Sequence, residues 1–238
     1  MVIRVGTSGW FYPHWNEVFY PKGVRTPERL HYYSENFDTV EINSTHYVTP
    51  TESTLKNWHQ QVPDDFLFSV KMHRFITHMK KLKNVDDSLP IFFQRISLLK
   101  KKCGPVLIQL PPMLHADVER LKNFVKLLKK KYRYVLEFRH DSWYVEEVYE
   151  ILRKHGIALC ITDLKGKQSP EVMTTDFTYI RLHGPTKAAY AGEYGPKLLR
   201  NWSKKILTWQ KKVDVFCYFD NDEKSFAVKD AKQLKKMI

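Results

Sequence analysis

Hydrophobic positions along the chain fall into two alternating regimes. Short runs rich in β-branched and aromatic residues recur about every 20–40 residues, and longer stretches with apolar residues three and four apart lie between most of them. The runs predict strands at Ile3–Gly6, Thr39–Ile42, Phe66–Lys71, Val106–Leu110, Tyr134–Phe138, Ala158–Thr162, Phe177–Leu182 and Val213–Phe219. The amphipathic stretches predict helices over 26–36, 51–61, 88–102, 117–131, 144–155, 196–212 and 223–237. Boundary residues agree: Thr26-Pro27 supplies a cap and a first-turn proline, Asp117 a capping carboxylate, and Gly156 a stop after the fifth helix.

Eight strands alternating with helices over 238 residues fit a (β/α)8 TIM barrel, typically about 250 residues long. No repeat, Pro-rich linker or low-complexity tract divides the chain, so one domain over 1–238 is expected. An open doubly wound sheet is the rival. It usually carries a glycine-rich phosphate loop after its first strand, whereas Gly6-Thr7-Ser8-Gly9 lacks that spacing and runs into aromatic residues. The stretch Leu164–Thr175 shows no helical periodicity and predicts a degenerate crossover after the sixth strand.

Side chains alternate across a strand, so one parity faces the barrel interior. Near the strand C-termini, Glu41 and Asn43 share a parity, as do Glu137 and Arg139, Arg181 and His183, and Tyr218 and Asp220; Lys71, Gln109 and Asp163 close other strands. Charges of both signs are costly to bury unless paired or used, and barrel active sites sit at this end. The expected catalytic residues are therefore Glu41, Glu137, Asp163 and His183. The expected ligand-holding residues are Trp10, Asn43, Lys71, Arg139 and Arg181.

This inventory fits two chemistries. In one, Arg139 and Arg181 hold an anion while Glu137 or His183 handles a proton. In the other, Glu137, Asp163 and His183 hold a divalent metal, although no HxH or HExxH spacing exists and nearby Arg and Lys compete for the carboxylates. Internal ion pairing with nothing left over is the plain alternative.

Composition narrows the class more than the chemistry. The chain is 43% hydrophobic, enough for a sizeable core, and has no apolar run near the roughly 20 residues of a membrane span. Three scattered cysteines make neither a disulfide framework nor a zinc knuckle, and no signal-peptide layout opens the chain, so a cytoplasmic protein is expected. Lys and Arg number 39 against 26 acids, and residues 71–135 hold sixteen of those bases against four acids. Lys100–Lys102 and Lys129–Lys131 are expected to close helices, where cations complement the dipole. A basic surface for nucleic acid is the competing reading.

Two loops stand out. Trp10, Phe11, Tyr12, Trp15, Phe19 and Tyr20 crowd the connection after the first strand, expected as a rim plug with Trp10 lining the site. The Gly- and Pro-rich segment His183–Pro196 is expected as a mobile lid. Beyond it Asp220-Asn221-Asp222-Glu223 is acidic and argues against a standard phosphate cup at the eighth loop.

The motifs also match in order. Gly6-Thr7-Ser8-Gly9-Trp10 with Phe19-Tyr20-Pro21, Glu41-Ile42-Asn43-Ser44-Thr45, Gln109-Leu110-Pro111-Pro112, Glu137-Phe138-Arg139 with Ser142-Trp143, and Arg181-Leu182-His183-Gly184 resemble the YecE-like family, domain of unknown function 72. That resemblance implies a TIM barrel with no established activity. His46 departs from a usual Phe, and Asp220 and Asp230 from usual Asn; Glu223-Lys224-Ser225 replaces expected glycines.

The functional expectation is a phosphate-bearing substrate, a phosphodiester or nucleic acid, bound or hydrolysed at the C-terminal mouth. The alternatives are a non-catalytic nucleic-acid-binding or adaptor protein using the lysines of 80–133, and a sugar-processing barrel with Glu41 and Glu137 as its carboxylate pair.

Overall fold

A computed structural model describes all 238 residues. The strands are β1 (Ile3–Thr7), β2 (Thr39–Ile42), β3 (Leu67–Lys71), β4 (Cys103–Gln109), β5 (Tyr134–Glu137), β6 (Ile157–Leu164), β7 (Lys167–Gln168), β8 (Phe177–Leu182) and β9 (Asp214–Phe219). The helices are α1 (Arg29–Asn36), α2 (Glu52–Gln61), α3 (Ser88–Ile96), α4 (Val118–Val125), α5 (Glu146–His155), α6 (Gly195–Trp209) and α7 (Phe226–Lys235). Eight strands pair in parallel in the order β1-β9-β8-β6-β5-β4-β3-β2, the arrangement of a TIM barrel.

The ring closes between β1 and β2 without a ladder. One parallel bridge, Ser8 to Glu41, joins them, with the Gly9 amide donating to the Glu41 carbonyl at 2.8 Å. Below it the Tyr33 hydroxyl fills the seam, accepting from the Thr7 amide at 3.0 Å and reaching the Thr39 carbonyl at 3.2 Å. Gly6 permits this approach, since a Cβ there would lie 2.3 Å from the Thr39 carbonyl oxygen.

The degenerate crossover is a hairpin. β6 turns through Lys165 and Gly166, both at positive φ (56° and 73°), and pairs antiparallel with the two-residue β7. No helix follows before β8.

The lysine runs depart from expectation. α3 ends at Ile96, and Lys100–Lys102 lie in a tighter turn with Lys100 at φ 50°. α4 ends at Val125, so Lys129–Lys131 belong to the turns beyond it. The amphipathic pattern over 117–131 overran the helix because Leu127 and Leu128 continue its spacing from non-helical positions.

Alternation sorts the core into two layers. The larger cluster packs outward-facing side chains such as Val5, Val40, Ile42, Val70, Ile108, Leu136 and Ile161 against the helices. A small cluster of Leu107, Val135, Ala158, Cys160, Phe177, Tyr179, Phe216 and Tyr218 fills the lower barrel. The hydroxyls of Tyr179 and Tyr218 sit on Ser69 and Thr39, each at 2.7 Å, and make a polar floor under the mouth. The barrel is thus packed below and polar above.

Candidate functional site at the barrel mouth

Arg181 projects from β8 one interior step above Tyr179 and is 1% exposed. Its Nε donates to Glu41 Oε2 at 2.9 Å, Nη1 to Glu137 Oε2 at 2.9 Å, and Nη2 to Glu41 Oε1 at 2.7 Å and Asp220 Oδ2 at 2.9 Å. Nη1 also reaches His183 Nε2 at 3.3 Å. One buried guanidinium therefore binds carboxylates from β2, β5 and the end of β9, with its five N–H groups all engaged.

Glu41 is filled to match. Besides Arg181 it accepts from the Ser8 hydroxyl and from Tyr179, the latter at 2.7 Å. Asn43 does reach the same group, donating to Ser8 Oγ at 2.6 Å.

Glu137 faces a second cation. Its Oε1 lies 2.5 Å from Arg139 Nη2. Burial acts to raise its proton affinity, but the Arg139 and Arg181 charges overcome that and hold it well below the ordinary 4.5. Burial likewise opposes the ionisation of Asp220, and Arg181 with His183 holds it below 3.8.

His183 lies between these groups. Its Nδ1 is 3.0 Å from Asp220 Oδ2, while Nε2 faces Arg181 and Arg139, each at 3.3 Å. Guanidinium nitrogens only donate, so Nε2 is the acceptor, while Nδ1 lies beside the Asp220 carboxylate without making a hydrogen bond to it. Tyr190 covers the ring edge-on at 5.4 Å.

The cations differ in what they have left. Arg139 spends Nη2 on Glu137 and His183, and its Nη1 has no hydrogen-bond partner. Lys71, at the end of β3, is buried and has neither a hydrogen bond to Nζ nor a carboxylate within 4.0 Å. Burial and the Arg181 charge draw its proton affinity down to about 8.

Two expected site residues lie elsewhere. Asp163 follows Ile161 on the outward parity of β6 and accepts from the Tyr194 hydroxyl at 3.2 Å, behind β8. Trp10 turns away after Gly9, at φ 92°, and packs edge-on against Trp58 at 5.0 Å and against Phe68 on the outer face of β3. The ring that reaches the mouth from this loop is Tyr12, whose hydroxyl donates to the Ser8 carbonyl. Tyr12 and Tyr190 flank a cavity of about 530 Å³ that Asp220, Asp222 and Glu223 line on its acidic side.

The lid is tied at its base. The Tyr194 hydroxyl accepts from the Gly184 amide at 3.1 Å, and Asn221 donates to the Gly192 carbonyl at 2.9 Å and to Asp230 at 2.7 Å. Only the tip around Lys187–Ala188 stands clear of the barrel.

The divalent-metal arrangement is corrected by the same geometry. Asp163 is absent from the cluster, and no set of three or more His, Cys, Asp or Glu side chains converges to hold an ion. Glu137 and Asp220 instead have guanidinium partners in the positions a cation would take.

The family model described as "Protein of unknown function DUF72" matches residues 4–238. The chain belongs to the DUF72 family. Among curated relatives, the UPF0759 protein YecE of Escherichia coli is 28% identical over 157 residues, which span 66% of this chain and about half (55%) of YecE. YunF of Bacillus subtilis is 24% identical over the whole chain and 95% of its own length. A DUF72 protein of Thermotoga maritima superposes over the full chain and 99% of its own, with TM-score 0.90 and 30% identity. The xylose isomerase-like TIM barrel of a dioxygenase fusion protein is alike in fold alone, with TM-score 0.56, 14% identity and coverage of all this chain but 42% of that one. DUF72 is a family of unknown function.

Asp220, placed on the interior parity by the sequence but not counted among the expected site residues, belongs to the centre of the cluster. Ser8 and Tyr179 were legible only as polar groups beside a strand end and inside a strand.

Proposed function

We propose that the barrel mouth binds a small phosphate-bearing ligand, with Arg139 and Lys71 as the cations that hold it. One observation carries this reading. Arg181 has no donor to spare, whereas Arg139 Nη1 and Lys71 Nζ are cationic donors without partners at the open end of the barrel. The mouth is bipolar, so the anion enters on the β3–β5 side, away from Asp220, Asp222 and Glu223.

Binding is better supported than hydrolysis. Glu137 and Asp220 are held ionised by guanidinium groups and are weak bases, and Glu41 has its oxygens filled by Ser8, Tyr179 and Arg181. The same saturation weighs against Glu41 and Glu137 as a glycosidase-like pair.

Calorimetric titration with inorganic phosphate, a nucleoside monophosphate and a sugar phosphate tests the reading. Arg139→Ala is expected to weaken at least one of these ligands about tenfold or more, as loss of a charge-assisted contact does. Equal heats from the wild type and the variant with every ligand would end it.

A second reading has its own observation. On the opposite face, a cavity of about 720 Å³ at the starts of β5 and β6 is lined by Lys126, Lys130, Arg133, Lys154 and His155. Arg133 is bound to Asp214 at 2.8 Å, but Lys126, Lys130 and Lys154 have no ion-pair partner. A nucleic-acid backbone fits such a cleft, and its affinity would fall log-linearly with salt. An RNA or DNA oligomer whose binding is flat in salt, or unchanged by Lys130→Ala with Lys154→Ala, would remove it.

A further inference from the structure

Two lysines are buried in this barrel, and only one has a structural reason to be there. Lys102 donates from Nζ to the main-chain carbonyls of His59 and Val62, both at 2.7 Å, at the C-terminal end of α2. Those carbonyls are orphan acceptors at the negative end of a helix dipole, and the ammonium satisfies them. Lys71 has no comparable arrangement. It is 8% exposed, its amine makes no hydrogen bond, and that amine is still not sealed from solvent.

An unpaired buried ammonium costs free energy that a methionine of similar shape would not. The groups facing Lys71 explain why it stays unpaired. Glu41, Glu137 and Asp220, from β2, β5 and the end of β9, carry the favourable charge, but all three are bound to Arg181, and Glu137 also to Arg139. Arg181 itself repels the ammonium, and the imidazoles of His46 and His78 stand within its electrostatic reach from the loops after β2 and β3. The arrangement neutralises the carboxylates with arginines and leaves the amine alone in a partly dehydrated mouth. Such an environment favours the free base, the form in which lysine is a nucleophile.

We infer that Lys71 is a nucleophilic amine that forms an imine with the carbonyl carbon of its ligand, so that the ligand class is a small aldehyde or ketone bearing an anionic group. This deepens the preceding reading and rests on it for the place of the ligand and for Arg139 as the anion's partner, and it assigns Lys71 to the ligand's carbonyl in place of its anion. The step is a condensation. The free Nζ adds to the carbonyl carbon and one of its protons passes to the oxygen, giving a carbinolamine; the second N–H proton then joins that hydroxyl, which departs as water as the C=N bond forms. No oxidant, metal or cofactor is required.

Reductive trapping tests it. The full chain is incubated with glycolaldehyde phosphate, glyoxylate or neutral acetaldehyde and sodium cyanoborohydride, then digested and mapped by mass spectrometry. At pH 7 a lysine titrating at about 8 holds roughly 300-fold more free amine than one at the ordinary 10.5, partly offset by its lower intrinsic nucleophilicity. Lys71 is therefore expected to be labelled at least about tenfold faster than any exposed lysine, with a pH midpoint near 8. The anionic reagents should lose more rate than acetaldehyde in Arg139→Ala.

Labelling of Lys71 no faster than of surface lysines such as Lys187 overturns the inference, whatever the phosphate titrations show. Fast labelling by acetaldehyde without phosphate binding would support the amine and sink the phosphate ligand instead. Lys71→Met, whose fold is checked by circular dichroism, is expected to abolish the fast site; a fast site surviving in that variant also overturns it.

Discussion

Arg181 and Glu41 meet side-on inside the barrel, Nε to Oε2 at 2.9 Å and Nη2 to Oε1 at 2.7 Å, reaching across the interior from β8 and β2. This pair lies above a floor of Tyr179 and Tyr218, so the charge layer and the apolar plug are consecutive interior layers of the same strands. The guanidinium is what lets three carboxylates share one dry space.

Arg181→Met is accordingly expected to cost about 3–5 kcal/mol, the usual loss when one partner of a buried pair is removed. Urea denaturation at pH 7 measures it. The variant should recover stability as the pH falls and its orphaned carboxylates take up protons. A loss under 1 kcal/mol would mean the carboxylates do not depend on Arg181.

His46 makes a separate pH prediction. Burial and the Lys71 charge lower its proton affinity to about 4, against the ordinary 6.5, while Nδ1–H points at the Met72 carbonyl at 3.0 Å. The unfolded chain therefore binds this proton more readily than the folded one. Its contribution to stability is complete above pH 6.5 and is lost as the pH falls towards 4. His46→Phe should remove that part of the acid dependence, read from melting temperatures at pH 7 and pH 4.5; parallel curves would contradict it.

Asp230 points the other way. Burial raises its proton affinity above the ordinary 3.8, against the donors from the Tyr194 amide at 3.1 Å and Asn221 at 2.7 Å. A raised carboxylate contributes stability below its unfolded value and loses it as the pH rises through the folded one. Asp230→Asn keeps an acceptor for both donors without the charge, so it is expected to be more stable than the wild type at pH 7 in urea denaturation. The gain should vanish below pH 3.8.

Gly6→Ala tests the seam. The new methyl would sit 2.3 Å from the Thr39 carbonyl oxygen, which is main chain and cannot swing away. A loss of about 1–3 kcal/mol follows from overpacking, with faster hydrogen exchange at the Gly9 amide that spans β1 and β2. Unchanged exchange there would show that the seam does not hold the ring closed.

Much of this was legible along the chain. Strand alternation is a local property, and it put Glu41, Glu137, Arg139, Arg181 and His183 on the interior before any fold was known. The same rule, counted from Ala158, places Asp163 on the outer face; reading it as a strand-end residue rather than by parity caused that error. Trp10 failed differently. Its closeness to β1 in sequence carried no direction, and the turn at Gly9 sends the ring outward to Trp58 while Tyr12 comes in.

By itself the sequence determined the barrel, its strand count, the missing helix after the sixth strand and the polarity of the strand ends, because periodicity and turn chemistry act over a few neighbouring residues. Only the tertiary structure decided how the charges are shared. Whether an arginine is spent or free depends on which carboxylates reach it from strands far away in the chain. That is why Arg181, expected to grip a ligand, is occupied by three acids, while Lys71 is the buried cation left without a partner.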